Sequence, residues 1–302
     1  MNRVIPIDKP SGITSHDVVA RIRRSSRIKK VGHTGTLDPA ATGLLVILTG
    51  KATKLAQFLV ESEKEYRGSI VLGVRTDTQD ADGKVLSAED ASGIGREDVE
   101  KAFASFRGET DQTPPMVSAI KRDGTPLYVL ARRGEVVERE PRRIHIRRLE
   151  VLSIDGPVVG FEVTCSRGTY IRTLAADIGD ALGCGAHLGN LRRTRVGNIR
   201  QSEALALEDV ERMGSDLAQA GLSMFDSLPE LPVLALSERE EDAVCTGSPI
   251  SVERDRLGAP EGTMVRLTTD GRELTALGRV ARVEEADVES TVRPVRVFAE
   301  LP

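Results

Sequence analysis

The apolar positions of the first sixty residues alternate between the period of a strand and the period of a helix. They predict a short strand at 3–8, then a helix that Thr14 or Ser15 caps, with valine and isoleucine along one side. The continuous apolar run 44–48 predicts a buried strand, and 51–61 predicts a second helix.

The middle of the chain continues this mixture of strands and helices. A strand at 66–73 and a helix at 97–106 are followed by strands at 143–151 and 161–165. A helix beginning after Tyr170 carries an unbroken apolar stripe. The pattern therefore predicts a domain that mixes strands and helices.

Two segments lack such periodicity. Residues 113–141 are polar and marked by prolines, which predicts a mobile insertion. Residues 183–196, GCGAHLGNLRRTRV, predict a loop rich in glycine and arginine.

The character of the chain changes after the linker SLPELP, which ends at residue 232. Short strands follow, with a hairpin marked by Asp270 and Gly271. We therefore predict two domains, a larger one at 1–230 and a small β-rich one at 232–302.

Composition places the protein among ordinary globular proteins, with 39% hydrophobic and 29% charged residues in a chain of 302. No apolar run approaches the length of a membrane span, and no signal-peptide pattern is present. Three widely spaced cysteines without a CxxC pair argue against disulfides and against a zinc site. We expect a cytoplasmic protein with no membrane association and no metal.

The net charge of −4 conceals a strong segregation. Lys and Arg exceed Asp and Glu by 7 in residues 1–60 and by 5 in 141–200, whereas acidic residues exceed basic ones by 11 in 201–302. A polyanion partner requires a local basic face rather than a basic total. The alternative is that these charges form the solvated faces of ordinary helices and strands.

The segment 31–45, VGHTGTLDPAATGLL, concentrates glycine, hydroxyl residues and a single carboxylate, Asp38. Pro39 biases Asp38 towards an extended backbone, so the pattern predicts a stiff polar loop that presents this carboxylate. A glycine-rich turn in which the aspartate only satisfies backbone amides is the alternative. A phosphate-binding loop at Gly50-Lys51 is excluded, because residue 45 is Leu and residue 52 is Ala.

Several motifs occur together in a fixed order: DKPSGITSHDVV, VGHTGTLDPAATGLL, KEYRG with RTDTQDADG, PPMVSAIKRDGTPLY, SRGTYIRTL and GAHLGNLRR. This set resembles the bacterial tRNA pseudouridine synthase B (TruB) family. The C-terminal segment is similar to the RNA-binding PUA domain of that family. The resemblance implies the pseudouridine synthase fold, an α+β fold in which a central mixed, mainly antiparallel sheet is flanked by helices, together with a small PUA-like barrel. It also implies isomerisation of uridine 55 in the T-arm of tRNA.

This reaction moves the bond at the sugar C1′ from N1 to C5 of the same base, so the resemblance implies no cofactor. Asp38 matches the family's catalytic aspartate. It acts either as a nucleophile at C1′ or as a base in an elimination, and the sequence leaves both routes open.

The resemblance assigns roles to further residues. Arg172 pairs with Asp38 and keeps it ionised, and Tyr66 stacks on the target uracil and handles the C5 proton. Tyr170, His33 and Leu191 contact the substrate. The alternatives are a surface position after a strand for Arg172, core positions for Tyr66, Tyr170 and Leu191, and a histidine satisfied by its own loop for His33.

The target base must leave the RNA stack to reach Asp38, and this unstacking costs free energy. Contacts between basic side chains and the RNA phosphates offset that free energy. We expect the RNA backbone to contact basic residues of both basic segments: Lys9, Arg23, Arg24, Lys29, Lys30, Arg192 and Arg193.

Two other hypotheses compete with a stand-alone enzyme. One is an RNA-binding protein that mainly refolds tRNA, a chaperone role that the family also implies beside catalysis. The other is a guide-RNA-dependent relative that acts inside a complex. Because residues 113–141 match the stand-alone type, we expect a monomer with tRNA as its partner and no obligatory protein partner.

Overall fold

The computed structural model describes residues 2–118, 120–122, 124–283 and 289–299. The elements up to residue 112 are β1 (Arg3–Lys9), α1 (Ser15–Ser26), β2 (Val31–His33), β3 (Thr42–Thr49), α2 (Ala56–Leu59), β4 (Lys64–Leu72), β5 (Val74–Thr76), β6 (Val85–Ala88), α3 (Arg96–Ser105) and β7 (Gly108–Gln112). Those that follow up to residue 223 are β8 (Lys121–Arg122), β9 (Thr125–Pro126), α4 (Leu127–Arg132), β10 (Arg142–Asp155), β11 (Val158–Cys165), α5 (Ile171–Ala181), β12 (Ala186–Val196), β13 (Ile199–Arg200), β14 (Leu205–Ala206), α6 (Leu207–Met213) and β15 (Leu222–Ser223). The C-terminal elements are β16 (Val233–Ala235), α7 (Glu238–Cys245), β17 (Ile250–Glu253), α8 (Arg254–Leu257), β18 (Met264–Thr268), β19 (Ala276–Val283) and β20 (Glu289–Val297).

One large sheet organises the first part of the chain. In the described residues its strand order is β14-β1-β3-β12-β4-β11-β10-β7, with β13, β15 and β2 on side branches. Neighbouring strands are antiparallel except for β1 with β14 and β3 with β12. The predicted α+β class with a mixed, mainly antiparallel sheet is therefore confirmed.

Strand β3 is covered on both faces of the large sheet. Leu45 and Ile47 join the core formed with α1, α3, α5 and α6. Leu44, Val46 and Leu48 face a second core on the other side of the sheet. All five side chains are fully buried, which explains why this strand is a continuous apolar run rather than an alternating one.

The C-terminal strands form a separate curled half-barrel in the order β16-β18-β19-β20-β17. Leu274, Leu277 and Phe298 of this region pack into the second core against Leu55 and Leu59. The half-barrel therefore packs through buried apolar contacts on the face of the large sheet opposite α1, α3, α5 and α6. The domain boundary near residue 231 stays a prediction.

Local chemistry explains several predicted elements. Thr14, not Ser15, caps α1, because its side chain accepts a hydrogen bond from the amide of Asp17 in a capping box. Strand β4 buries Tyr66, Ile70 and Leu72 as its alternation predicted. The predicted helix at 51–61 is shorter, a 3-10 turn at Gly50–Leu55 followed by α2.

The prediction of a loop at 183–196 is wrong. Residues from Ala186 onward form β12, which pairs with β4 and touches β3 near the middle of the sheet. A Cβ on Gly189 would lie 2.7 Å from the hydroxyl of Ser69, so glycine here allows a close approach between strands rather than marking a loop. The insertion at 113–141 contains β8, β9 and α4, and its mobility stays a prediction.

Arg266 on β18 fastens the linker to the half-barrel. Its guanidinium donates to the carbonyls of Leu231 (3.0 Å) and Phe225 (3.1 Å) and lies 4.3 Å from the centroid of the Phe225 ring. We expect Arg266→Lys to lower the free energy of unfolding by about 1–3 kcal/mol, because buried carbonyls lose donors. Urea unfolding measures this change, with Arg239→Lys on exposed α7 as the control. Equal midpoints for the two variants would contradict the assignment.

Candidate functional site

A cavity of about 290 Å³ opens beside the loop that carries Asp38. Its wall includes Asp38, Tyr66, Tyr170, Arg172 and Leu191, which the sequence analysis had assigned to one site. A larger cavity of about 570 Å³ lies between the large sheet and the half-barrel, and none of these five residues lines it. The smaller cavity is therefore the candidate site.

Residues 10–15, which connect β1 to α1 and are called the N-terminal turn, bind the loop that carries Asp38. The Ser15 hydroxyl accepts a hydrogen bond from the Leu37 amide (2.8 Å) and donates to the Leu37 carbonyl (3.0 Å). The carbonyl of Pro39 accepts from the amide of Gly12 (2.9 Å). The residues on either side of Asp38 are thus fixed, which aims its carboxylate into the cavity.

Arg172 pairs with this carboxylate. It lies in the first turn of α5 with only 5% of its side chain exposed, and its Nε is 3.0 Å from Oδ2 of Asp38. The same guanidinium donates to the carbonyls of Val117 (2.7 Å) and Thr78 (3.1 Å), and its Nη1 is 3.4 Å from Oδ2 of Asp80. These contacts fix the plane of the guanidinium, so the ion pair has one geometry.

The electrostatics of Asp38 differ from the expectation. Burial raises the pKa of Asp38 above the ordinary value of 3.8, repulsion by Asp80 adds to the rise, and attraction by Arg172 and Lys9 opposes it. The side chain is nevertheless 46% exposed, because its open side faces the cavity. Arg172 therefore limits the rise of the Asp38 pKa rather than depressing the pKa below its ordinary value.

Two tyrosines flank the carboxylate. Tyr66 on β4 is 9% exposed, and burial raises the pKa of its hydroxyl. Tyr170 immediately precedes α5, where its backbone amide and carbonyl both bond to the side chain of Gln112 (2.8 and 3.1 Å). Burial also raises the pKa of Tyr170. Both hydroxyls are therefore protonated at neutral pH.

Sequence reasoning missed Asp80 and Gln112 as contributors to the site. Asp80 lies in the DADG segment, which the sequence analysis interpreted only as a turn. Its place within the motif RTDTQDADG could have indicated a second carboxylate beside Asp38 in the site. Gln112 is a polar residue at the end of β7 that is 3% exposed. The sequence offers no pattern that separates it from a surface glutamine.

His33 does not line this cavity. Its ring packs edge-to-face on His16 with centroids 5.5 Å apart, and its Nδ1 accepts a hydrogen bond from the Gly35 amide (3.3 Å). Burial and the neighbouring His16 and Arg193 lower the pKa of His33 to about 4. The ring is therefore neutral at pH 7 and has its proton on Nε2. Its contact with substrate stays a prediction.

Two of the residues expected to contact RNA are buried. Lys9 is fully buried, and its ammonium donates to the carbonyls of Pro10, Ile13 and Pro39 at 2.9, 2.7 and 3.1 Å. Arg193 is 2% exposed. Both side chains are therefore buried rather than exposed on the surface, and their contact with RNA stays a prediction. The sequence analysis placed both residues on the surface because each is charged and lies within a motif.

The remaining basic candidates are accessible. Arg23, Arg24, Lys29 and Lys30 are exposed at the end of α1 and in the loop that follows. Arg192 is half-exposed and pairs with Asp8 at 2.5 Å. Their contact with RNA stays a prediction.

The described residues contain no group of three or more His, Cys, Asp or Glu side chains arranged to hold a metal ion. Across the same residues, none of the helices combines the length and apolar character that crossing a bilayer requires.

Comparisons with known proteins agree with this architecture. A model of the TruB family pseudouridylate synthase N-terminal domain matches residues 23–171, and one of the tRNA pseudouridylate synthase B C-terminal domain matches 172–220. The tRNA pseudouridine synthase B of Geobacter sulfurreducens is 46% identical over 99% of this chain and 100% of its own length. That of Syntrophotalea carbinolica is 44% identical over 96% of each chain.

Solved structures show the same fold. A chain of an H/ACA RNP bound to a substrate RNA containing 2′-deoxyuridine superimposes with a TM-score of 0.75 at 27% identity, covering 99% of this chain and 85% of that one. A chain of the archaeal box H/ACA sRNP Nop10–Cbf5 complex gives a TM-score of 0.73 at 28% identity, covering 98% and 86%.

The sheet, the half-barrel and the aspartate–arginine pair beside a buried tyrosine define the pseudouridine synthase class. Within that class, the chain belongs to the TruB family.

The lowered pKa of His33 predicts a pH dependence of stability. The pKa of the His33 ring is 6.5 in the unfolded chain and about 4 in the folded protein. Between pH 6.5 and about pH 4 the unfolded chain therefore binds a proton that the folded ring does not bind, so the free energy of unfolding falls as the pH falls through this window. The loss is on the order of 3 kcal/mol when complete. Urea unfolding at pH 7 and pH 5 should show a shallower pH dependence for His33→Gln than for the wild type.

His145 provides the control, because it is exposed on β10. His145→Gln should retain the slope of the wild type. If His33→Gln and the wild type lose equal stability between pH 7 and pH 5, the neutral buried state of His33 is wrong.

Proposed function

We propose that this protein isomerises uridine 55 in the T-arm of tRNA to pseudouridine. The observation that carries the proposal is the Asp38–Arg172 pair at the wall of the cavity that also contains Tyr66. Close relatives named tRNA pseudouridine synthase B support the choice of substrate.

The reaction conserves atoms and electrons. The bond from C1′ to N1 breaks, the base turns within the cavity, and a bond from C1′ to C5 forms. C5 then loses its proton and N1 gains one. Nothing is oxidised or reduced, so acid–base chemistry and covalent chemistry by side chains are sufficient.

Asp38 performs the first step, as a nucleophile at C1′ or as a base at the neighbouring carbon. Arg172 approaches Oδ2, and the described residues give Oδ1 no hydrogen-bond partner, so this oxygen is available to the substrate. Arg172 also keeps Asp38 from a still higher pKa, which preserves the reactive carboxylate at neutral pH. Tyr66 stacks on the uracil and handles the C5 proton, while Tyr170 and Leu191 line the same wall.

The cavity is at the small end of the usual range for ligand pockets, which suits a single extruded nucleotide rather than a helix. The exposed cations at 23–30 bind the phosphates around the extruded base and offset the cost of unstacking it. We further propose that the chain acts as a cytoplasmic monomer without a protein partner, with tRNA refolding as an accompanying activity.

Release of tritium from [5-³H]uridine in an unmodified tRNA transcript tests the proposal, with the purified chain as the only protein. We expect release from the normal transcript and none from a transcript with cytidine at position 55. Asp38→Asn should reduce turnover at least about a thousand-fold while leaving tRNA affinity near normal. Asp111→Asn, a change at an exposed residue of β7, is the matched control and should retain full turnover.

The alternatives give different outcomes. A chain that binds tRNA without releasing tritium would be an RNA-binding protein, and release only after a guide RNA or partner is added would place it in a complex. Turnover by Asp38→Asn near the wild-type rate would remove Asp38 from the chemistry.

A further inference from the structure

Arg193 occupies an unusual position for an arginine. It lies on β12 directly opposite Tyr66 of β4 and beside Gly43 of β3, near the middle of the large sheet. Its side chain is 2% exposed and forms part of the wall of the candidate site. Burying a guanidinium is costly unless its donors are used, so the fold must hold this one by specific contacts.

Those contacts join the two sides of the site. Nε of Arg193 donates to the carbonyl of Leu44 (2.7 Å), and Nη2 donates to the carbonyl of Gly35 (3.1 Å), three residues before Asp38. On the other side, its guanidinium carbon lies 6.0 Å from the centroid of the Tyr66 ring. One side chain therefore touches both the Asp38 loop and the tyrosine.

The backbone of Arg193 is held equally closely. Gly43 has φ of +95°, and a Cβ there would lie 2.4 Å from the carbonyl oxygen of Arg193. Only glycine permits this approach. The position of Arg193 is therefore fixed by the strand as well as by its side chain.

Buried cations outnumber buried carboxylates around the cavity. Lys64, Arg172 and Arg193 line the cavity and are each nine-tenths or more buried, whereas among the described residues the carboxylate that lines it is Asp38. Burial lowers the pKa of Lys64 to about 8, and the nearby Arg193 contributes to the fall. The surplus positive charge favours any negative charge that develops in the cavity.

We propose that Arg193 is a positioning residue for the reaction, which holds Tyr66 and the Asp38 loop at a fixed separation and stabilises negative charge beside the Tyr66 ring. The predicted effect on the reaction rate rests on the proposed function, whereas the contact between Arg193 and Tyr66 does not. Burial raises the pKa of Tyr66 and Arg193 lowers it, which agrees with this role. In the proposed reaction the cleaved uracil carries the bonding electrons from C1′, and the charge of Arg193 acts on that anion as well.

A contact to an RNA phosphate is the competing role, and kinetics separate the two. A phosphate contact contributes to affinity, and its loss flattens the log–log salt dependence of binding by up to about one unit. A positioning residue affects turnover and leaves affinity and salt slope unchanged.

The test compares Arg193→Met, Arg193→Lys and a control, Arg195→Met. Arg195 lies two residues further along β12 and pairs with Glu65 at 3.5 Å. We expect Arg193→Met to lower single-turnover rate at least about ten-fold, with tRNA affinity and salt slope unchanged. Arg193→Lys should be intermediate, because lysine keeps the charge but cannot bridge two carbonyls and a ring. Arg195→Met should remain within about two-fold of the wild type.

A weakened affinity with a flatter salt slope and an unchanged single-turnover rate would overturn the proposal, and so would normal turnover in both Arg193 variants. If Arg193→Met does not fold, Arg193→Lys decides by the same criteria.

Tyrosine titration tests the contact without using activity. The chain has 3 tyrosines and no tryptophan, so absorbance of tyrosinate in a Tyr128→Phe, Tyr170→Phe background reports Tyr66 alone. Adding Arg193→Met should move the midpoint to higher pH, while Arg193→Lys moves it less. An unmoved midpoint overturns the proposal. If the wild type releases no tritium, the proposed function fails, whereas this titration still decides the contact between Arg193 and Tyr66.

Discussion

The ion pair between Asp38 and Arg172 is the interaction on which the site depends. Arg172 is almost fully buried, and its guanidinium is also bound by the carbonyls of Thr78 and Val117 and by Asp80. These partners come from three segments of the chain, at 38, 78–80 and 117, so one guanidinium on α5 links three loops. Loss of its charge would leave Asp38 and Asp80 close together with little to offset their repulsion.

The large sheet makes this arrangement possible. Because β3 is buried on both faces, the loop that precedes it is anchored at one end by apolar packing. The N-terminal turn anchors the other end through Ser15 and through the buried ammonium of Lys9. Asp38 is thereby held rigidly while its carboxylate remains open to the cavity, which is the form of preorganisation that catalysis requires.

Much of this was predictable from the sequence. The apolar periods of β1, α1, β3, β4 and α5 are strong, and the resemblance to the TruB family assigned Asp38, Tyr66, Tyr170, Arg172 and Leu191 to one site. The errors concern charged residues. Lys9 and Arg193 were placed on the surface because burial of a cation depends on carbonyls from distant segments, such as Pro39 and Leu44, which no local pattern reveals. The same is true of β12, whose glycines and arginines resemble those of a loop until its neighbours β3 and β4 are known.

Titration of the Asp38 carboxyl carbon by ¹³C NMR, in the wild type and in Arg172→Met, measures the central ion pair most directly. The wild-type pKa should lie above the ordinary aspartate value of 3.8, because burial outweighs the attraction of Arg172. Removing the guanidinium should raise the pKa of Asp38 further. An Asp38 pKa that is unchanged or lowered in Arg172→Met would contradict the account, because Arg172 would then exert no electrostatic hold on the carboxylate.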